Sequence, residues 1–574
     1  MHINGHAHIF NLQTVLTEEA IEILLSRLKR YGVHEIVLSG LQDFLWEQLL
    51  RPEYLTEDEI LRRFLESIAR TQAFQDLEST GATLPIEVKL LGTGVQDVAV
   101  DALKAALDQL SRMFDSGDGT QTSIFDIFQM LRTAMQPKIV DVADRLLANL
   151  GPDDLLVALM MDITSRPERA RDRNNFLAQI KGTSDAVIGR PGRILPFVAV
   201  NSLRSDHYKL MEQAIESLGF VGVKLYPSLG YKVKTPAIRA VLKYCVDHDV
   251  PVLAHCTSGG FYKSKTTREY CNPVHWRDLL DEFPGLRVCF AHFGGWGGFS
   301  GHDAEQQAWA AVILELMREH PGVYTDLSYH VEMMRGGQVQ DTYLDSLRTL
   351  LADDLLGSRI IFGTDAWLVQ MQVTDEAYWK FFRLYLTEEE FRKISYDAPR
   401  AFLGLPDPAG KGMRENIARH VAFLEQHRAE GGAAPAGWVG TVSRAVFTPS
   451  RGRPDWSPKN RAHVLTYKYL RYESNDIPDV YHDLKFAGSA PLRLRQLMYF
   501  TKDHGDAGLF SQARRATALK LDAFLTHNGA SYEGDYVRAA AIQTLDRLLD
   551  DGDRTLGELA ASVDAIYLFQ SELP

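Results

Sequence analysis

The chain has 574 residues, 45% of them hydrophobic and 24% charged, with a net charge of −13. That length provides for roughly two to four domains and a sizeable core. The acidic balance excludes broad nucleic-acid binding, which needs a basic face, and no apolar run reaches the roughly 18 residues of a membrane span.

The opening MHINGHAHIF reads as a first strand carrying His6 and His8. Residues 11–150 then separate it from the next clear strand, far more than a βα connection needs. Much of this stretch has helical periodicity, as in EEAIEILLSRLKRYG (18–32) and VQDVAVDALKAALDQLSRMF (95–114), whereas MFDSGDGTQTS (113–123) is a loop. HEIVLSG (34–40) has the composition of a strand and leaves the choice of second strand open. LLVALMMDI (155–163) and RILPFVAVN (193–201) follow, then runs ending at Lys224, His255, His292, near Tyr329 and at Asp365. Short apolar runs of this kind are buried parallel strands. Helices fall between them: SDHYKLMEQAIESLG (205–219) with Ser205 as its cap, and TPAIRAVLKYCVDHD (235–249) opening on Thr and Pro. The alternation implies a parallel sheet.

After Pro406, GGAAPAGWVG (431–440) and TPSRGRPDWSP (448–458) are rich in helix breakers. The rest is mainly helical, with RAAAIQTLDRLLDDG (538–552) a good amphipathic helix. Two domains are expected, 1–406 and a mainly helical accessory region 407–574. Cys245, Cys256, Cys271 and Cys289 include no CxxC pair and read as free thiols. With no charged-then-apolar leader after Met1, the expectation is a cytoplasmic protein with a small-molecule substrate, no membrane or nucleic-acid partner, and a homo-oligomer as an open option.

Residues two apart on an extended segment share a face, so His6 and His8 can address one ion. Imidazole and carboxylate suit Zn²⁺ and also Fe, Mn, Ni or Co. Taken singly, each residue has an ordinary reading: HAH as a chance pair, His255 and His292 as core histidines, Asp365 as a helix cap.

Their order and flanks resemble the amidohydrolase superfamily, in particular its amidohydrolase-2 branch of metal-dependent TIM-barrel hydrolases and decarboxylases. GVKLYPSLGY (222–231), NPVHWRDLLDEFPGLRVCFAHFGG (272–295), VYTDLSY (323–329), IIFGTDAW (360–367) and YDAPRAFLGL (396–405) carry the resemblance, which extends over about 151–406 and the first ten residues. Asn4 stands where the family often has Asp.

The resemblance implies a closed (β/α)₈ barrel with its active site at the C-terminal strand ends. It further implies a divalent metal centre, first of all zinc, drawn from His6, His8, Lys224, His255, His292 and Asp365. With Lys224 carboxylated on Nζ, two ions would be held. With Lys224 an amine, one ion would take His6, His8, His255 and Asp365, leaving His292 for acid–base work. Asp365 is the expected general base. Tyr226, Thr257, Arg268, Asn272, Trp296, His302 and Trp367 are substrate-binding candidates, with Tyr329 beside them. Thr257 to Gly260 could present N–H groups to an anion or form a tight turn, and Lys263, Lys265 and Arg268 could hold a carboxylate or form a solvated loop.

The implied reaction is hydrolysis of an amide, lactam, lactone or ester. The alternatives are non-oxidative decarboxylation of an aromatic or unsaturated acid and, third, a non-catalytic structural barrel. Because it follows the first strand, the insert 11–150 emerges on the active-site face, where it could act as a lid or pack outside the barrel.

Overall fold

Eight of the apolar runs become strands: β1 (Ile3–Ala7), β2 (Leu155–Leu159), β3 (Ile194–Val200), β4 (Gly222–Leu225), β5 (Val252–Thr257), β6 (Val288–Gly294), β7 (Val323–Asp326) and β8 (Ile360–Ile361). In this computed structural model, which describes residues 1–440 except 96, 115–121, 165–168, 302, 408–411 and 430–436, they pair in parallel in the order β1 to β8. The sheet also closes on itself. Gly5 N donates to Phe362 O at 2.8 Å, Asp365 N donates to His6 O at 2.8 Å, and Ala7 and Ala366 form a parallel bridge. The fold is therefore a (β/α)₈ barrel.

Two residues make the β1–β8 seam fit. A Cβ on Gly5 would lie 2.3 Å from Ile361 Cγ2, so only glycine lets the strands approach. Asn4 clamps the seam: its Nδ2 donates to Thr364 Oγ1 at 2.8 Å, and its Oδ1 accepts from Thr364 N at 3.1 Å. An Asp at position 4 could not make the first of these bonds.

The insert folds into helices α1 (Glu18–Arg30), α2 (Glu35–Leu50), α3 (Glu57–Arg70), α4 (Gln72–Ser79), α5 (Ile86–Gly92), α6 (Val100–Phe114), α7 (Ile124–Ala134) and α8 (Ile139–Leu147). In α1 the Thr17 hydroxyl accepts from Ala20 N at 3.0 Å, with Glu18 and Glu19 in the first turn and Arg27, Lys29 and Arg30 in the last. Both charge sets complement the helix dipole. The HEIVLSG segment is not a strand. It opens α2, whose buried Val37, Leu41, Phe44, Leu45 and Leu49 show a helical period that the seven-residue window was too short to display.

Beyond β2 come α9 (Ala170–Gly189), α10 (His207–Ser217) and α11 (Pro236–Asp247). Ser205 does not cap α10. The N-cap is Asp206, which makes no side-chain cap bond: its ψ of 17° departs from the extended backbone of a capping residue, and its Oδ2 pairs with Arg173 at 2.5 Å. Thr235 does cap α11, accepting from Ile238 N at 3.3 Å. The barrel unit passes the boundary expected at 406. The helix Glu415–Ala429 packs back on it, with Asn416 Nδ2 donating to Val221 O at 3.1 Å and to Leu403 O at 2.9 Å. TPSRGRPDWSP, RAAAIQTLDRLLDDG and the expected helical character of the rest of the C-terminal region lie outside the described residues.

Candidate metal centre

The side chains at the strand ends converge on one mouth. His292, Tyr329 and Asp365 have φ of 63°, 58° and 60°, a left-handed backbone that costs a non-glycine residue on the order of 1 kcal/mol or more. This turn at the end of the strand redirects each side chain towards the barrel axis. Gly363 makes room beside it, since a Cβ there would lie 2.5 Å from His6 Cβ. The Gly of the GTD motif is thus a packing requirement of the first histidine.

Hydrogen-bond partners assign the proton positions on the rings. His8 Nδ1 lies 3.0 Å from Leu159 O, which can only accept, so Nδ1 carries the hydrogen and Nε2 a lone pair. That lone pair faces Asp365 Oδ1 at 3.1 Å. His6 Nδ1 donates to Asp326 Oδ2 at 2.9 Å, and His6 Nε2 lies 3.2 Å from the same Asp365 oxygen without hydrogen-bond geometry. Two imidazole nitrogens and a carboxylate oxygen therefore meet in a buried place where one proton cannot serve both contacts. A tetrahedral ion with bonds of about 2.0–2.1 Å separates its ligands by roughly 3.3 Å, the spacing found here. His6, His8 and Asp365 fit a divalent cation.

Asp326 orients this trio without being its best ligand. Its carboxylate accepts from His6 Nδ1, from His292 N at 2.9 Å and from Ser328 N at 3.0 Å, and also from the Ser328 hydroxyl. Its oxygens are thus already used. A carboxylate behind a ligating histidine fixes the tautomer and raises ligand basicity.

The other histidines form a relay. His292 Nδ1 lies 3.1 Å from Ser328 O and so carries a hydrogen, leaving Nε2 to accept from His255 Nδ1 at 3.1 Å. His255 Nε2 is then a lone pair, buried with no hydrogen-bond partner and facing the cavity at Gly260. Lys224 Nζ is likewise buried without a partner. His330 supports the relay from behind, with Nε2 2.8 Å from His292 O and Nδ1 2.7 Å from Tyr343 OH.

Burial and neighbours split the titrations. Burial and then Lys224 push His6 down, but Asp326 and Asp365 carry it above its ordinary value. Burial lowers His8 despite Asp365. Burial lowers His255 strongly, aided by His292 and Lys224, and takes His292 down to about 3. Lys224 falls to about 8 through burial, which Asp326 and Asp365 partly oppose. Burial works to raise both Asp365 and Asp326, but the neighbouring histidines hold both carboxyls below the usual range.

A family model described as amidohydrolase matches residues 152–405. The barrel from β2 onwards is thus similar to the amidohydrolase family. No curated protein matches the chain. Among solved structures, 2,6-dihydroxybenzoate decarboxylase from Rhizobium is 17% identical, with 49% of this chain and 92% of that chain covered at a TM-score of 0.37. A probable 2-pyrone-4,6-dicarboxylic acid hydrolase from Acinetobacter baumannii is 16% identical, covering 46% and 89% at 0.34. A 5-carboxyvanillate decarboxylase from Novosphingobium aromaticivorans, complexed with manganese, is 12% identical, covering 56% and 92% at 0.35. Likeness at this level says nothing of substrate or reaction here.

The barrel brings His6, His8, Lys224, His255, His292 and Asp365 to one cavity of about 230 Å³, which Tyr226, Thr257, Gly259, Gly260, Trp296 and Tyr329 also line. Three other candidates fall elsewhere. Arg268 pairs with Glu305 at 2.8 Å and Glu269 at 3.2 Å. Asn272 is a cap, its Oδ1 accepting from Val274 N at 3.1 Å. Trp367 turns its Nε1 to Phe10 O at 2.9 Å and packs on the Phe10 ring. Ser258 is not in the cavity lining. Lys263 pairs with Glu19 at 2.8 Å, and Lys265 lines a separate groove. His302 lies outside the described residues.

Sequence reasoning missed Asp326, Arg27, Tyr31 and His330. Asp326 ends VYTD much as Asp365 ends IIFGTD, so its signal was present. Arg27 was visible as a charge inside the apolar stripe Leu24, Leu28 of an amphipathic helix.

Proposed function

We propose that the barrel is a divalent-metal-dependent enzyme that hydrolyses a C–N or C–O bond of a small molecule: an amide, lactam, lactone or ester. One observation carries the reading. His6 Nε2 and His8 Nε2 stand 3.2 and 3.1 Å from one Asp365 oxygen, an arrangement that a cation completes. Zinc is the first candidate for this donor set, with Mn, Fe, Ni and Co compatible. When bound, such an ion lowers the pKa of water from about 15.7 towards 7 and polarises a substrate carbonyl.

The protein's own groups do the rest. Asp326 and Leu159 O hold Nδ1–H of His6 and His8, so that both Nε2 lone pairs are presented to the cavity. Asp365 accepts the proton of the attacking water and passes it to the leaving group. His255 Nε2 offers a second base, and His292 behind it stabilises the proton that it takes up. Lys224, if carboxylated, could join His255 and His292 in holding a second ion.

Loss of CO₂ from an aromatic or unsaturated acid is the second reading. It is favoured by a cationic side chain, Arg27, in the cavity wall. One experiment separates the two. Purified protein is assayed for metal by elemental analysis and then offered cyclic amides, lactones and aromatic acids, with hydrolysis products and released CO₂ both quantified. Active protein without metal would end both readings, and CO₂ release without hydrolysis would replace the first with the second.

A further inference from the structure

Arg27 sits on α1 of the insert, 4% exposed, with its guanidinium against the same cavity as His6, His8 and Asp365. Three rings surround it: its Cζ lies 4.7 Å from the Phe261 centroid, 4.7 Å from Tyr329 and 5.5 Å from Tyr31. Among the described residues it has neither a hydrogen bond nor an ion pair, and its Nε is buried without a partner.

Arg204 is a buried arginine whose charge is paired. It is 1% exposed and stacks over Phe176 at 4.4 Å, and its Nε and Nη2 form a two-pronged bond to Asp162 at 2.9 and 2.8 Å. Arg27 has the aromatic platform without the carboxylate. A buried charge is costly unless paired, and rings alone replace only part of a lost hydration shell.

The position is fixed rather than incidental. Arg30 Nη2, one turn further along α1, donates to Gly260 O at 3.1 Å, and Lys263 pairs with Glu19 of the same helix at 2.8 Å. The helix is thereby fastened to the loop that follows His255.

We propose that Arg27 is a specificity residue that receives a carboxylate of the substrate. The substrate of this centre is then a small organic acid with its reacting group towards His6, His8 and Asp365 and its acid group on the insert side. A cavity of about 230 Å³ lies below the roughly 300–1,000 Å³ of drug-sized pockets, which limits the acid to a compact one. The guanidinium fork matches a carboxylate in two bonds. This rests on the cavity being the active site, and it holds for either reaction proposed above.

The test uses full-length, metal-loaded protein and three acid–amide pairs of matched shape: benzoate and benzamide, 2-furoate and 2-furamide, crotonate and crotonamide. Affinities are read by ligand-observed NMR, with metal content measured on each sample. Wild type should bind at least one acid about tenfold more tightly than its amide. Arg27→Gln should erase that ratio at unchanged metal content, and Arg27→Lys, which keeps the charge without the fork, should retain part of it. A wild type that prefers no acid, or an Arg27→Gln or Arg27→Lys protein that keeps the full ratio, overturns the proposal. If Arg27→Gln does not fold, the wild-type and Arg27→Lys ratios decide. Protein with no metal but an Arg27-dependent acid preference would sink the metal reading and leave this one standing.

Discussion

The cavity has two unlike halves. On one side His6 and His8 turn their lone pairs to a carboxylate, with Asp326 behind His6. On the other, His255 and His292 face each other in a relay that ends on a backbone carbonyl, and burial drives both towards the neutral form. The same residue type thus meets two environments, one with carboxylates directly on the imidazole rings and one where Asp326 meets only the backbone N–H of His292. On the proposed reading the first half would hold a cation, and the second would exchange protons or add a ligand.

The broadest test of that division is metal removal. Dialysis against a chelator should abolish turnover, and added Zn²⁺ or Mn²⁺ should restore it; turnover that survives in verified metal-free protein would erase the distinction between the halves. Next, His8→Ala should lose most bound metal, whereas His255→Ala should keep most of it, both read by elemental analysis. Equal losses would move His255 into the cation half. Asp365→Asn keeps the shape without the basicity, and its turnover should fall at least about a hundredfold; near-normal turnover would transfer the base to His255.

A smaller effect is expected behind the ligands. Asp326→Asn removes the charge that orients His6 and should weaken metal affinity by about 10–100-fold in a competition titration. It also has a pH signature. The Asp326 carboxyl is held below its unfolded value of about 3.8, so its contribution to stability is present above that pH and is lost as pH falls through the folded value. The Tm difference between wild type and Asp326→Asn should therefore shrink as the buffer goes from pH 5 towards pH 2. A gap that widens on acidification would contradict the assignment. The least effect belongs to Arg268→Ala. That side chain pairs with Glu305 and Glu269 away from the cavity, so stability should change by no more than about 0.5 kcal/mol and KM should not move; a raised KM would return Arg268 to the site.

The strand ends were legible because a buried strand is an apolar run and a functional strand end is a polar interruption of it. That rule found Lys224, His255, His292 and Asp365, and would have found Asp326 had the Asp of VYTD been weighed as the Asp of GTD was. Side-chain pairing across the sequence was not legible. Nothing near Arg268 reveals that Glu305, on the helix Ala304–Glu319, neutralises it, and nothing near Trp367 reveals that its indole is claimed by Phe10 O. Local windows also failed at a helix start, where Asp206 rather than Ser205 stands at the N-cap and makes no cap bond. The insert's share of the cavity depended on tertiary docking, which periodicity describes only as an apolar stripe.

The seam between β1 and β8 has a consequence for how the protein comes to be active. His6 and His8 precede Asp365 by more than 350 residues along the chain. Their meeting depends on Asn4 reaching Thr364 and Gly5 reaching Phe362, contacts of such long sequence separation that they belong to the slow end of folding. A nascent or truncated barrel therefore carries two histidines of the trio and no carboxylate to complete it. On the proposed reading, tight metal uptake would then mark the moment of barrel closure, so that a bound ion would report a closed barrel.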